Sequence, residues 1–224
     1  MRKFAVIGLG RFGRKLATAL TMSEAEVIAI DQNREIVEEM RDEVSLAVRL
    51  DSTDEDALLA QGVDKVDVAI VGIGQGGRSF ESSILTVVNL KTMGVPLIYA
   101  RAETLIQGQV LSKVGATEVI YPEIESAQRW AYKLITPQIT DKLDFAPGYS
   151  IASMAAPESF NEQTVADLQL RQKYRVNLVS IKRGEKSGNA DEIINVPLAE
   201  TIIYQGDILM VAGKDADLAR LPHE

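Results

Sequence analysis

Residues Lys3 to Leu20 read KFAVIGLGRFGRKLATAL, and this stretch decides the fold. Phe4-Ala5-Val6-Ile7 is an apolar run long enough for a buried strand and too short for a helix. Gly8, Gly10 and Gly13 follow in G-x-G-x-x-G register, and Leu16, Ala17 and Leu20 continue at helical spacing. The pattern is strand, tight turn, helix. Gly8 permits the turn, Gly10 lets backbone approach a pyrophosphate, and Gly13 lets helix and strand pack without a side chain between them. The N-terminus of such a helix presents unpaired N–H groups and partial positive charge to an anion.

A glycine pattern alone is weak, and its context strengthens it. Glu26-Val27-Ile28-Ala29-Ile30-Asp31 is a second apolar run, ending in a carboxylate roughly twenty residues after the glycines. A carboxylate there can accept both ribose hydroxyls of an adenosine, and it repels a 2′-phosphate. The competing reading makes Asp31 the N-cap of a helix from Arg34 to Met40. The expected ligand is an adenosine with unmodified ribose: NAD(H), ATP, ADP or AMP.

Strands and helices alternate through the first half of the chain. A helix from Arg34 to about Arg41 leads to the strand Leu46 to Leu50, and Asp51, Ser52 and Thr53 can cap a helix through Leu58 and Leu59. Val66 to Ile73 is the next strand, followed by a glycine-rich loop and a helix from about Phe80 to Met93. Pro96 precedes the strand Leu97 to Arg101; Thr104 can cap a helix to Val114, and Gly115 stops it. Val119 to Tyr121 is the sixth strand, closed by Pro122. Six strands with intervening helices predict a doubly wound, Rossmann-like parallel sheet of the α/β class, with ligands at the carboxyl ends of its strands. Those ends carry Asp31, Asp51-Ser52-Thr53, Gly72-Ile73-Gly74, Arg101 and Glu123. Each alone reads as a cap or loop residue; together they lie where a nucleotide would. Arg11, inside the glycine loop, is either a solvated arginine or a phosphate ligand, in its own subunit or a neighbour's.

Residues 1–124 are therefore read as the nucleotide-binding domain. From Glu125 to about Lys142 a long helix is expected, with Ala127, Trp130, Leu134 and Ile135 as an apolar stripe that fits core or interface. Residues 125–143 form this crossover helix and linker. Residues 144–224 form a small α+β domain, in the order β-α-β-β-β: strands at Tyr149 to Met154 and Val176 to Ile181, a short helix from Val165 toward Tyr174, and strands at Glu192 to Val196 and Asp207 to Val211.

Composition narrows the function. Hydrophobic residues make up 46% of the 224, enough for a core, and no apolar run reaches membrane-spanning length. The first residues lack a signal-peptide pattern, and cysteine is absent, which fits a cytoplasmic protein and excludes thiolate chemistry. A net charge of −8 argues against nucleic-acid binding. A nicotinamide dehydrogenase needs a general acid or base beside the hydride acceptor. The single histidine, His223, is expected to be exposed, no Tyr-x-x-x-Lys pair occurs in the first domain, and the G-x-x-x-x-G-K-[ST] loop of ATPases is missing. The chain reads as equipped to hold a nucleotide rather than react it, with a small NAD-dependent oxidoreductase as the alternative.

FAVIGLGRFG, VIAID, LDSTDEDALLAQGV, VDVAIVGIG and VLSKVGATEVIYPE together resemble an RCK domain (regulator of K⁺ conductance), as found in the cytosolic subunits of bacterial Ktr/Trk-type potassium uptake systems. TVADLQLRQKYRVNLVSIKRG and IINVPLAETIIYQGDILMVAG resemble the small C-terminal module of those subunits. The resemblance implies a non-enzymatic regulator whose sheet domains pair into an octameric ring beneath a membrane potassium-transporting subunit, at the inner face of the membrane. It implies that Gly8, Gly10 and Gly13, with Phe12 beside them, underlie the phosphates. Asp31, helped by Gln32 and Asn33, takes the ribose, and Asp51, Ser52 and Thr53 border the adenine. Ile73 and Gly74 line the pocket, with Arg101 and Gln107 further along it. Arg11 reaches a terminal phosphate across the subunit boundary, and Glu123 sits near the phosphates or a divalent cation. Some members bind cyclic di-AMP in the C-terminal module, where the matching positions are Arg171, Val176, Asn177, Leu178 and Pro197. One departure is the long loop containing Gln75, Gly76, Gly77 and Arg78, which is expected to remodel the pocket edge. Another is Arg101 itself, where many relatives have lysine.

Overall fold

The first apolar run forms β1 (Lys3–Ile7), and the helix after the glycines is α1 (Arg11–Met22). β2 (Glu26–Asp31), α2 (Arg34–Met40), β3 (Leu46–Arg49) and α3 (Glu55–Ala60) follow, then β4 (Val68–Val71), α4 (Ser79–Thr92), β5 (Leu97–Arg101), α5 (Leu105–Val114), β6 (Glu118–Ile120) and α6 (Pro122–Ile135). This computed structural model describes residues 1–74, 79–185 and 192–222. The chain divides into two units, Met1–Ser126 and Ala127–Glu224.

In the first unit all six strands pair in parallel, in the order β3-β2-β1-β4-β5-β6. This is the doubly wound arrangement, and it explains why the strands read as unbroken apolar runs. Both faces are covered, so both sets of side chains are buried. Ala5 and Ile7 of β1 join a core with Leu58, Leu90 and Leu111 from α3, α4 and α5. Val6, between them, points to the opposite core with Ala17 and Met40 from α1 and α2. The strand order reverses between β1 and β4, and ligand crevices form at such a switch point.

At the β1–α1 turn backbone lies close against backbone. Gly8 sits at φ +90°, and a Cβ there would lie 2.7 Å from the Ile73 nitrogen. A Cβ on Gly13 would collide with the Gly8 carbonyl oxygen. Gly8 N donates to Ile30 O at 2.8 Å, and Gly72 N donates to Ile7 O at 2.7 Å.

Helix ends remove one competing reading and correct one expectation. Asn33, not Asp31, caps α2, its Oδ1 accepting from Glu35 N at 2.9 Å. Asp54, rather than Asp51 to Thr53, caps α3 by accepting from Ala57 N at 3.1 Å. Thr104 caps α5 as expected, in a reciprocal box with Gln107, and Gly115 ends it at φ 126°.

The long helix expected to reach Lys142 stops at Ile135. Pro122 opens it, since proline lacks the N–H that the first helical position leaves unused. Pro137 forbids its continuation and biases Thr136 away from helical dihedrals. The chain then extends as β7 (Ile139–Ala146), turns at Pro147 and Gly148 (φ 75°), and returns as β8 (Tyr149–Ala155). No residue of α6 is buried, so the Trp130, Leu134 and Ile135 stripe does not join a core; Leu134 and Ile135 are 75% and 79% exposed.

The second unit continues with β9 (Gln163–Thr164), α7 (Val165–Leu168), α8 (Leu170–Lys173) and β10 (Asn177–Lys182). β11 (Ile193–Ile194), β12 (Ile202–Ile203), β13 (Ile208–Lys214) and α9 (Asp215–Leu218) complete it. The single expected helix toward Tyr174 is two, broken by Gln169 in the left-handed region at φ 46°. The strand expected at Glu192 to Val196 shrinks to β11. The main sheet is antiparallel in the order β11-β10-β13-β8-β7, with β12-β9 as a separate pair. Fully buried Asp207 ties the fold's corner, taking Arg183 at 2.6 Å and the Gly184 and Tyr204 N–H groups at 3.0 Å. Among the described residues no helix is long and apolar enough to cross a membrane.

Gly13→Ala has no room for its methyl, because backbone blocks it on the Gly8 side. The expected loss is about 2–4 kcal/mol, read as a melting temperature lowered by several degrees. A melting curve unchanged from wild type would contradict the packing described.

Candidate functional site

Two cavities open at the carboxyl ends of the parallel strands, sharing Ile73 and Ser79. The first, about 250 Å³, is lined by Ile7, Gly8, Ile30, Asp31, Gln32, Leu50 and Ser52, and from α4 by Ser79 and Ser82. The second, about 490 Å³, is lined by Gly74, Phe80, Ser83, Arg101, Glu103 and Gln107. The fold thus gathers Gly8, Asp31, Gln32, Ser52 and Ile73 around one space, and Gly74, Arg101 and Gln107 around its neighbour.

Asp31 organises the first cavity. Its Oδ2 accepts from Leu9 N at 2.7 Å, and its Oδ1 accepts from Asn33 N at 2.8 Å. One carboxylate therefore fastens the glycine turn to the β2–α2 loop, with each oxygen retaining a further lone pair. Arg49 of β3 braces the same loop by donating to Gln32 O at 3.0 Å. Gly10 has open space where a side chain would stand, and α1 begins there with neither a side-chain cap nor an acid in its first turn. α2, α3 and α5, by contrast, are capped by Asn33, Asp54 and Thr104. A helix start of the α1 kind is able to receive an anion. Exposed Arg11 is its first residue and makes no ion pair among the described residues; Phe12 is half-buried beside it.

The β3–α3 loop forms the rim. Ser52 is buried, and its hydroxyl shares a hydrogen bond of 2.8 Å with Thr86 of α4. Asn89 Nδ2 donates to Thr53 O at 3.0 Å. Thr86 and Asn89 thus hold the loop, a role the sequence pattern did not announce. Asp51 Oδ1 accepts from Thr53 N at 3.0 Å and from Thr53 Oγ1 at 2.8 Å. Those hydrogen bonds, the backbone one first, hold the Asp51 carboxyl below its ordinary value of 3.8.

In the second cavity, Arg101 has an 11% exposed side chain and bonds Glu123 at 2.7 Å, with Glu103 at 3.6 Å. Gln107 Oε1 accepts from Glu103 N at 2.9 Å as part of the α5 cap. Glu123 does not form a metal site by itself. Its Oε1 is on Arg101, and no group of three or more His, Cys, Asp or Glu among the described residues could hold an ion. Gln75 to Arg78, expected to remodel the rim, lie outside the described residues.

In the second unit, Arg171, Leu178 and Pro197 line one groove of about 430 Å³ with Val165, Gln169 and Ala199. Val176 does not share it as an exposed group; its side chain is fully buried in the core. Asn177 is exposed at the start of β10.

The TrkA-N domain model matches residues 4–122, and the TrkA-C domain model matches residues 155–222. The chain belongs to the TrkA-N/TrkA-C family. It is 38% identical over 219 residues to Ktr system potassium uptake protein C of Bacillus subtilis (strain 168), covering 98% of this chain and 95% of that protein. It is 30% identical over 218 residues to Ktr system potassium uptake protein A of Vibrio alginolyticus, covering 97% and 95%. The RCK domain of GsuK superimposes with a TM-score of 0.63 at 16% identity, covering 97% of this chain and 46% of that one. The GsuK channel bound to NAD gives 0.54 at 21%, covering 97% and 37%. These two likenesses speak for the fold. The TrkA-N unit contains both cavities, and the TrkA-C unit contains the Arg171 groove.

Because the folded state depresses the Asp51 carboxyl, its stabilisation is present above the unfolded value of 3.8 and lost as pH falls through the lower folded one. The gap in melting temperature between wild type and Asp51→Asn should therefore be widest near neutrality and close as the solution is acidified below pH 3.8. A gap that does not change with pH would contradict the Asp51–Thr53 turn.

Proposed function

We propose that this chain is the nucleotide-sensing, non-enzymatic regulatory subunit of a potassium uptake system. The observation that carries the reading is the pair of adjoining cavities, together with polar groups in and beside their lining that are committed to shaping the site. Asp31 ties the glycine turn, Asn33 and Gln107 cap helices, Asp51 closes its own turn, and Ser52 bonds α4. Such groups hold a ligand in one pose; none is poised to exchange a proton with it. The Ktr relatives supply the context of potassium uptake.

The ligand is an adenosine nucleotide, ATP or ADP, or NAD(H). Its ribose meets Asp31, Gln32 and Asn33; its base lies by Asp51, Ser52 and Thr53; its phosphates lie over Gly8, Gly10, Phe12 and Gly13. Arg11, exposed and unpaired, serves a neighbouring copy's terminal phosphate. A divalent cation at Glu123 would need the ligand's phosphates for most of its donors. The exposed apolar stripe of α6 suits burial against a second copy, since a contiguous apolar helix face is costly to leave in water. Paired copies closing into an octameric ring would act at the inner face of the membrane through a potassium-transporting partner. A nucleotide can shift such a ring only through contacts that differ between its two shapes, and a terminal phosphate reaching Arg11 of the next copy is such a contact. In the TrkA-C unit, Arg171, Leu178 and Pro197, with exposed Asn177 and buried Val176 behind them, are the candidate contacts for cyclic di-AMP.

Titration calorimetry with ATP, ADP and NADH tests the site. Asp31→Asn should weaken all three about tenfold or more, since it removes a charged acceptor, while circular dichroism still reports the folded chain. Undiminished affinity would remove Asp31 from the site.

A further inference from the structure

Between the second half of α6 and the start of β7 lies a cavity of about 230 Å³ that the strand-end site does not use. Arg129, Trp130, Tyr132 and Lys133 of the helix line it, with Ile139 and Lys142 of the strand. In a chain of net charge −8 this lining is cationic, three bases against the single acid Asp141. Lys142 is matched already, by Asp144 at 2.8 Å and Asp215 at 3.1 Å. Arg129 and Lys133 make no ion pair among the described residues; the Lys133 ammonium rests over the Trp130 ring, 5.3 Å from its centroid. Tyr132 supplies a second, independent observation. Its ring lies 4.2 Å from the Lys142 ammonium, and its hydroxyl is enclosed with no hydrogen-bond partner among the described residues. Burial holds the phenol above its ordinary value of 10.0, so it keeps its proton and remains a donor. An enclosed donor without an acceptor costs free energy, and such groups are uncommon unless something uses them.

We propose that this cavity binds a small organic phosphate or carboxylate, its anion held by Arg129, Lys133 and the Tyr132 hydroxyl and its apolar body laid against Trp130 and Ile139. A space of roughly 150 Å³ already encloses a benzene ring, so this larger one has room for a ring-sized body and a charged group. A guanidinium offers such an anion two parallel hydrogen bonds, and an ammonium and a phenol add one each. Arg129, Tyr132 and Lys133 stand at i, i+3 and i+4, on one side of α6. Leu134 and Ile135 are not part of the lining and stay available to the apolar stripe. Held by groups on both sides of Thr136 and Pro137, the ligand braces the end of α6 against β7, in the stretch that follows the boundary between the two units at Ser126 and Ala127. The site is independent of the strand-end cavities and stands whether or not adenosine binds there.

Trp130 is the only tryptophan, so its fluorescence reports on this cavity. Full-length protein is titrated with phenyl phosphate, benzoate, inorganic phosphate and phenol. Phenyl phosphate or benzoate should change the emission saturably, and the tighter of the two tells phosphate from carboxylate. Phenol, which lacks the charge, and inorganic phosphate, which lacks the apolar body, should each bind about tenfold or more weakly. Arg129 and Lys133 are exposed, so Arg129→Gln and Lys133→Gln should leave the melting temperature unchanged and each weaken the anion about tenfold. Tyr132→Phe removes the unpartnered hydroxyl alone. Its melting temperature should hold or rise while anion affinity falls about tenfold, a combination that a purely structural tyrosine does not produce. No saturable change with either aromatic anion overturns the proposal, including the case in which a neighbouring copy fills the cavity. Binding that survives Arg129→Gln and Lys133→Gln combined, or phenol binding as tightly as phenyl phosphate and benzoate, overturns it too. Unchanged affinity in Tyr132→Phe overturns the part given to the hydroxyl.

Discussion

The contact between the Gly8 carbonyl and the α carbon side of Gly13 sets the rest of the first unit. It fixes how closely α1 approaches β1, and with Ile73 and Gly72 pressed against the same turn, it also fixes the distance to the end of β4. No side chain mediates these contacts, so none can adjust to absorb a change. Asp31 then fastens the turn from the other flank through Leu9 N at 2.7 Å. Three neighbouring strand ends are thus locked together by backbone and one carboxylate, and the first cavity is the space this lock leaves open. A cavity shaped by backbone in this way asks for little reordering of the chain around whatever fills it.

Much of this was legible in the residues because the signals were local and steric. Glycine spacing, apolar runs of strand length, and caps such as Thr104 depend on the chain's immediate neighbours, so β2 and β5 begin and end where the sequence suggested. The second unit was harder to read for physical reasons. β7 is an edge strand, and Thr140, Asp141, Lys142 and Asp144 break the apolar alternation that identifies a strand. With that signal gone, the helical stripe before Pro137 was extended across it. β9 and β12 are two residues each, too short for any periodicity. The caps went astray by a different route: Asp51 and Asp54 have equal intrinsic merit as caps, and only the Thr53 turn and the clasp from Asn89 decide between them.

The site shows the same division. Residues at strand ends could be named from topology alone, since a doubly wound sheet brings them together regardless of sequence separation. Thr86 and Asn89 could not, because they act through the β3–α3 loop rather than on the cavity, and a polar residue inside a helix carries no mark of what it holds. The Arg101–Glu123 pair lies between these cases. Both residues were foreseeable as strand-end groups, but the buried, unmatched Nε–H is visible only in three dimensions.

Sheet order has a consequence for synthesis on the ribosome. β1 is made first yet lies at the centre, and its second neighbour is β4, so the strand has one open edge until residue 71 has emerged. The second cavity needs Arg101 and Gln107 as well. Until that edge is paired the nascent chain presents an apolar, half-paired ribbon, and that interval is when it most needs shielding from other nascent chains. The two cavities are therefore completed in turn, the first once Ser82 has been made and the second once Gln107 has.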